Sequence, residues 1–240
     1  MHNPKFIVIE GPDGSGKTTL ADRLGSWLND DVREPTTVVH SPGGTKFANA
    51  VRGLAFAGLT QSKQALAMAM LTAETDCFES VILPSLQQGR HVIGDRWVMS
   101  GRVYQSFAAN RPPEAIDRMI DAAIPHPRAR PDVYLILNAQ PEVLLQRVID
   151  SVEQDRKERM GKVSGKGATK QKEQMVMEGD AERQALEGKI DYYRYLWAAY
   201  SRPLVFSDNV TCVTLDTTEH TPDQIYDQAR EIVMQGVLHT

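Results

Sequence analysis

Two cysteines in 240 residues, Cys77 and Cys212, are too few and too far apart for a disulfide framework or a metal knuckle. Each is expected to be a small buried hydrophobe in a reducing interior. No run approaches the roughly 18 apolar residues that a membrane span needs. The opening MHNPKFIVIEG enters an apolar strand within a few residues, which leaves no room for a secretory signal. An excess of positive charge is also missing. The formal net charge of -4 argues against a broad basic nucleic-acid surface, although one local basic segment lies in the second half. Internal repeats and any composition break that would announce a second domain are absent. With 41% hydrophobic residues, the chain suits a single α/β domain over 1–240 that carries an insertion. These absences point to a soluble, cytoplasmic protein whose partners are small anions, with neither nucleic acid nor membrane among them.

The most informative stretch is Glu10 to Thr19, EGPDGSGKTT. Phe6-Ile7-Val8-Ile9 reads as a short buried strand, and Gly11 to Thr18 fits the G-x-x-x-x-G-K-[ST] phosphate loop. Leu20, Leu24, Trp27 and Leu28 then recur at helical spacing. Strand, loop and helix come in the order that phosphate binding requires. Gly11, Gly14 and Gly16 let the backbone N–H groups approach phosphate oxygens, with Ser15 and Thr19 in the same cradle and the helix N-terminus behind it. Lys17 is placed to neutralise the outer phosphates of ATP, and the Thr18 hydroxyl to ligate the accompanying Mg²⁺.

Further strands are expected at Val38–His40, His91–Asp95, Val133–Asn138 and Thr211–Asp216, alternating with helical stretches. That alternation implies a buried five-stranded parallel sheet with helices on both faces, and ligands at the carboxyl ends of the strands. A long helix is expected over Gln64 to Gln88, with Leu66, Met70, Cys77 and Val81 along one side and Glu74 on that same side. Asp95 ends its strand where an acid associated with Mg²⁺ belongs. From about 150 to 189 the composition turns charged and weakly periodic, and it reads as a mobile lid insertion, with Lys162 to Lys172 as a solvated loop. Ile190, Tyr193, Leu196, Trp197 and Tyr200 restore a helical stripe. Thr221-Pro222-Asp223-Gln224 is a capping pattern for the last helix.

In this order the chain resembles the thymidylate kinase family of P-loop nucleoside monophosphate kinases. FIVIEGPDGSGKTT is close to the family's opening motif, and Ser41-Pro42-Gly43-Gly44-Thr45 matches the end of its Arg-Glu-Pro-Gly-Gly-Thr loop. Gly94-Asp95-Arg96-Trp97 is similar to its Asp-Arg motif, followed by Ser100-Gly101-Arg102-Val103-Tyr104-Gln105 at the family's spacing. Leu135-Ile136-Leu137, Pro141-Glu142-Val143, Arg147 and Asp155-Arg156-Lys157-Glu158 resemble its fourth strand, following helix and lid.

The resemblance implies ATP-dependent phosphorylation of a deoxynucleoside 5′-monophosphate, with Mg²⁺, by a homodimer. It assigns Arg96 to the acceptor's 5′-phosphate, Asp95 to the Mg²⁺ site, and Tyr104 to the place a ribose 2′-hydroxyl would take. Asp13 would accept from the sugar 3′-hydroxyl or help order metal and acceptor phosphate. Ser100 and Gln105 join the acceptor site. Arg52 is a second phosphate ligand or a solvated side chain. Because the loop offers no arginine, the transferred group needs a cation from the lid: Arg156 first, Arg159 second, with Arg147 on the ATP side.

Three positions depart from the family's base pocket. Glu74 stands where the family uses an arginine, Met70 where it uses a stacking phenylalanine, and Gly101 where it uses Asn or Thr; His40-Ser41 also replaces the Arg-Glu of the proline-glycine loop. A carboxylate accepts hydrogen bonds, so Glu74 suggests an acceptor whose base carries a donor, such as a 5-substituted deoxyuridylate. If Glu74 instead pairs with Arg102 or faces solvent, the acceptor is dTMP. A deoxynucleoside kinase, with Glu10 as base, and a non-catalytic nucleotide-binding regulator are the rival readings.

Overall fold

A computed structural model of the chain describes residues 3–109, 111–165, 168–201 and 210–238. Its centre is a five-stranded parallel sheet in the order β2-β3-β1-β4-β5. The strands are β1 (Phe6–Glu10), β2 (Thr36–His40), β3 (His91–Asp95), β4 (Val133–Asn138) and β5 (Thr211–Asp216), so the second begins two residues earlier than expected. β1, β3 and β4 are buried on both faces, which is why their sequences are continuous apolar runs with no alternation.

Alternate residues of β1 feed two cores. Phe6 and Val8 face one side, with Cys77, Met99, Val103, Leu196 and Tyr200; these come from α3 (Lys63–Cys77), α5 (Val98–Ala109) and α9 (Ile190–Ser201). Ile7 and Ile9 face the other side, against Leu20, Leu24, Ile225 and Ala229 of α1 (Lys17–Trp27) and α10 (Pro222–Leu238). Leu24 is fully buried there, and truncating such a side chain costs about 2–5 kcal/mol. α10 starts with a reciprocal cap: Gln224 N–H donates to Thr221 Oγ1 at 3.3 Å, and Thr221 N–H to Gln224 Oε1 at 2.8 Å.

The helix expected over Gln64 to Gln88 is present as α3, a π-helical turn at Phe78–Ile82 and α4 (Leu83–Gln87), with helical backbone at both junctions. Three other local expectations need correction. The segment expected as a mobile, solvated loop is largely a helical hairpin, α7 (Pro141–Lys162) against α8 (Ala168–Glu187); residues 166–167 lie outside the described residues. Its weak hydrophobic periodicity has a physical cause, since the two helices meet through charged side chains such as Arg183 with Glu153 at 2.7 Å, which carry no apolar stripe. Cys212 is exposed because β5 is an edge strand, and Trp197 remains 42% exposed on α9. No helix among the described residues is long and apolar enough to cross a membrane.

Candidate active site

All the phosphate-loop residues sit at the carboxyl end of β1, between β3 and β4. At two positions the loop is wedged so closely that a side chain is excluded. A Cβ at Gly11 would lie 2.0 Å from the Leu137 carbonyl oxygen, and one at Gly14 would lie 2.6 Å from that of Leu144 in α7. Lys17, in the first turn of α1, is buried, and its Nζ donates to the Pro12 carbonyl at 2.6 Å. Burial, with the Arg96 guanidinium nearby, lowers its pKa to about 7. Ser15 Oγ is buried with no partner, as a loop hydroxyl awaiting a ligand would be.

Thr18 Oγ1 donates to Asp95 Oδ2 at 2.5 Å, joining α1 to the end of β3. His40 Nδ1, at the end of β2, lies 3.1 Å from the same oxygen, while Asp95 Oδ1 is buried without a partner. Among the described residues no cluster of three or more acids, histidines or cysteines could cage a metal. The donor set is therefore a hydroxyl and one carboxylate with a spare oxygen. That fits Mg²⁺, which keeps its waters and shares phosphate oxygens instead of requiring an all-protein cage.

Arg96 contacts the loop at Gly11 and Asp13. Its backbone is left-handed, with φ 69°, a strained choice for a non-glycine residue that turns the guanidinium back over the loop. Nη1 donates to the Gly11 carbonyl at 3.2 Å and to Ser100 Oγ at 2.9 Å, Nη2 donates to Asp13 Oδ1, and the group lies over the Tyr104 ring, 5.2 Å from its centroid. Asp13, Arg96, Ser100 and Tyr104 are thus brought together as expected. Glu10 anchors them from below. It is fully buried and accepts from the N–H groups of Trp97 (2.7 Å) and Ser100 (3.1 Å) and from Ser100 Oγ (2.6 Å), with the Tyr200 hydroxyl at 3.3 Å. Burial raises its pKa. With Oε1 capping α5 and Oε2 held by the Ser100 and Tyr200 hydroxyls, Glu10 braces the site and is not positioned as a general base.

Met70, Glu74, Gly101 and Gln105 meet between α3, α5 and α6 (Pro113–Ala123), around a cavity of about 10 Å³. Glu74 neither pairs with Arg102 nor faces solvent. Arg102 Nε donates to both carboxylate oxygens of Asp117, at 2.9 and 3.1 Å, and Glu74 is 3% exposed.

Four expected arginines make their observed contacts outside the phosphate loop. Arg52 is exposed on α2 (Lys46–Phe56), its guanidinium 5.7 Å from the Phe56 ring centroid. Arg156 turns toward α8, where its Nη1 donates to the Val176 carbonyl at 3.2 Å and lies 3.6 Å from Asp180; the exposed Arg159 bonds only within its own helix, Nε to the Asp155 carbonyl at 3.4 Å. Arg147, beside the loop on α7, grips Thr217 through Oγ1 at 3.0 Å and the carbonyl at 2.6 Å. His40 and Tyr200 were missed as site neighbours. Only the position of His40 at a strand's carboxyl end could have marked it, and nothing local marks Tyr200.

A family model described as thymidylate kinase matches residues 9–181. A thymidylate kinase from Jannaschia sp. (strain CCS1) is 38% identical over 146 residues, which is 60% of this chain and 68% of that protein. One from Marinomonas sp. (strain MWYL1) is 32% identical over 154 residues, 63% of this chain and 71% of that protein. The solved thymidylate kinase from Ehrlichia chaffeensis superposes with a TM-score of 0.60 over 97% of this chain and 99% of that chain; at 20% identity this likeness speaks for the fold.

Proposed function

Because the chain belongs to the thymidylate kinase family, a group of ATP-dependent nucleoside monophosphate kinases, we propose that its cleft transfers the ATP γ-phosphoryl group to the 5′-phosphate of a deoxynucleoside monophosphate. The observation that carries this reading is the convergence of Lys17, Thr18–Asp95 and Arg96–Asp13 at one strand edge.

The donor phosphates lie along the backbone of Gly11 to Thr19, with Lys17 leaving the Pro12 carbonyl to meet them. Thr18 and Asp95 would hold Mg²⁺, which would supply neutralisation of the phosphate charge. Arg96 grips the acceptor phosphate in a fork, with Asp13 and Ser100 fixing the guanidinium plane. An acceptor phosphate oxygen attacks the γ-phosphorus, the bond to the bridging oxygen breaks, and ADP leaves. Since that oxygen is already anionic near neutral pH, no protein base is needed, in keeping with the engaged Glu10. Tyr104, beside Arg96, favours deoxyribose. Arg147 flanks ATP.

Arg156 supplies the lid cation once the α7–α8 hairpin closes and its tie to Asp180 is exchanged for phosphate. That tie is a partly exposed pair worth under about 1 kcal/mol. Arg156→Ala is therefore expected to lower kcat about 100-fold while shifting the melting temperature by no more than a few degrees; an unchanged kcat would remove Arg156 from the mechanism.

The exposed Phe47, Leu54, Phe56, Leu59 and Met68 of the α2–α3 region support a homodimer. Free thiols at Cys77 and Cys212 support a cytoplasmic setting. We assign 1–240 to one domain with the lid near 150–189. Following ADP formation from ATP with nucleosides, ribonucleotides and deoxynucleoside monophosphates tests the whole reading: turnover should need a deoxynucleoside monophosphate, and turnover of nucleosides alone would overturn it.

A further inference from the structure

A carboxylic side chain that is 3% exposed normally has a hydrogen-bond or ionic partner, because burying it alone is costly. Glu74 has none among the described residues. The cation closest in sequence on α5, Arg102, is committed to Asp117 through both carboxylate oxygens. Next to it Gln105, 9% exposed, has a buried Oε1 that accepts from nothing. Two unpartnered acceptor groups thus face one cavity.

That cavity is about 10 Å³, the size of one small polar group. Its other walls are apolar, with Met70 on α3 and Ile116 on α6. At Gly101 a Cβ would sit 3.4 Å from Glu74 Oε1, so a longer side chain there would fill the space. Gly101 and Gln105 are one turn apart on α5, in the row beside Arg96, Ser100 and Tyr104. The hole therefore lies one helix ridge from the phosphate clasp.

We propose that Glu74 and Gln105 select a pyrimidine deoxynucleotide whose base edge carries a hydrogen-bond donor, either an exocyclic amino group or an added hydroxyl, in preference to the methyl and carbonyl edge of thymine. The inference rests on the phosphotransfer reading above for the site it specifies. Burial raises the Glu74 pKa to about 8, with the negative charge of Glu10 adding to it. A donor on the base satisfies that carboxyl in either protonation state, whereas a carbonyl oxygen is satisfied only while the proton is present. Gln105 Oε1 accepts and reinforces the preference.

The test measures kcat/KM with ATP for dTMP, dUMP, dCMP and 5-hydroxymethyl-dUMP. The wild type should prefer a donor-bearing base over dTMP at least tenfold; the dCMP and hydroxymethyl arms separate an amino from a hydroxyl partner. Glu74→Gln, nearly isosteric and able to donate to a carbonyl, should narrow that ratio at least tenfold, and Gln105→Leu should lower use of the preferred base. A wild type that prefers dTMP, or a ratio unmoved by Glu74→Gln in a variant with a cooperative melt, overturns the proposal. If no monophosphate yields a diphosphate, the phosphotransfer reading fails. Calorimetric binding of the same four monophosphates then decides this one separately, tighter binding of the donor-bearing bases supporting it and equal or tighter binding of dTMP overturning it.

Discussion

Lys17→Ala is expected to reduce turnover about a thousandfold while the chain still melts cooperatively near the wild-type temperature. Removing one preorganised donor from developing charge costs about 10²–10³ in kcat. Lys17 should sit at the upper end, because it is buried, where water cannot substitute for it, and a bound phosphate anion would hold it in its charged form. The fold should survive because the Lys17 contact is local: its Nζ meets the carbonyl of Pro12, five residues away in the same loop. Coupled detection of ADP at saturating ATP and acceptor is the measurement. A loss smaller than tenfold would mean that the loop does not hold the reacting phosphates.

Glu74→Gln is expected to stabilise the unliganded protein, and more strongly as the pH rises. The Glu74 carboxyl shifts from an ordinary value near 4.5 to about 8, first by burial and then by Glu10. Below the lower value both folded and unfolded chains are protonated, and the group has no effect on stability. Between the two values only the unfolded chain releases the proton, so stability falls steadily as pH rises. Above the upper value both are ionised and the full penalty is present, on the order of 5 kcal/mol. A glutamine does not titrate. Thermal melts should therefore show little difference between variant and wild type at pH 4 and a gap of roughly 10 °C or more at pH 9. A gap independent of pH would show that the carboxyl is stabilised by something other than its proton. A buried acid held at such a cost is the kind of residue that ligand recognition retains and stability alone would discard.

The carboxyl-edge chemistry was readable in the chain because its determinants are local. Strand, glycine loop and helix follow one another within 22 residues from Phe6 to Trp27, and β1, β3, β4 and β5 fell within the bounds expected from the sequence. Less legible were contacts between elements. The lid resembled a loop because its helices pair through charge, and the direction of Arg156 depends on which helix packs over it. Arg52 did not reach the phosphate loop, since on the exposed face of α2 its guanidinium lies over Phe56. Whether Glu74 faced Arg102, water or a cavity was undecidable from the chain, because Asp117, fifteen residues beyond Arg102, takes the arginine.

By itself the sequence determined the parallel α/β class and the phosphate loop, since each follows from backbone and side-chain chemistry within a few neighbouring positions. Tertiary structure alone decided that Glu10 braces α5 with Tyr200, which is 190 residues away, and that Glu74 lies buried beside Gln105 with no partner. Pairings across that distance depend on how the sheet stacks its helices. No local pattern encodes them, because each side chain meets its partner only after the cores on both faces have closed.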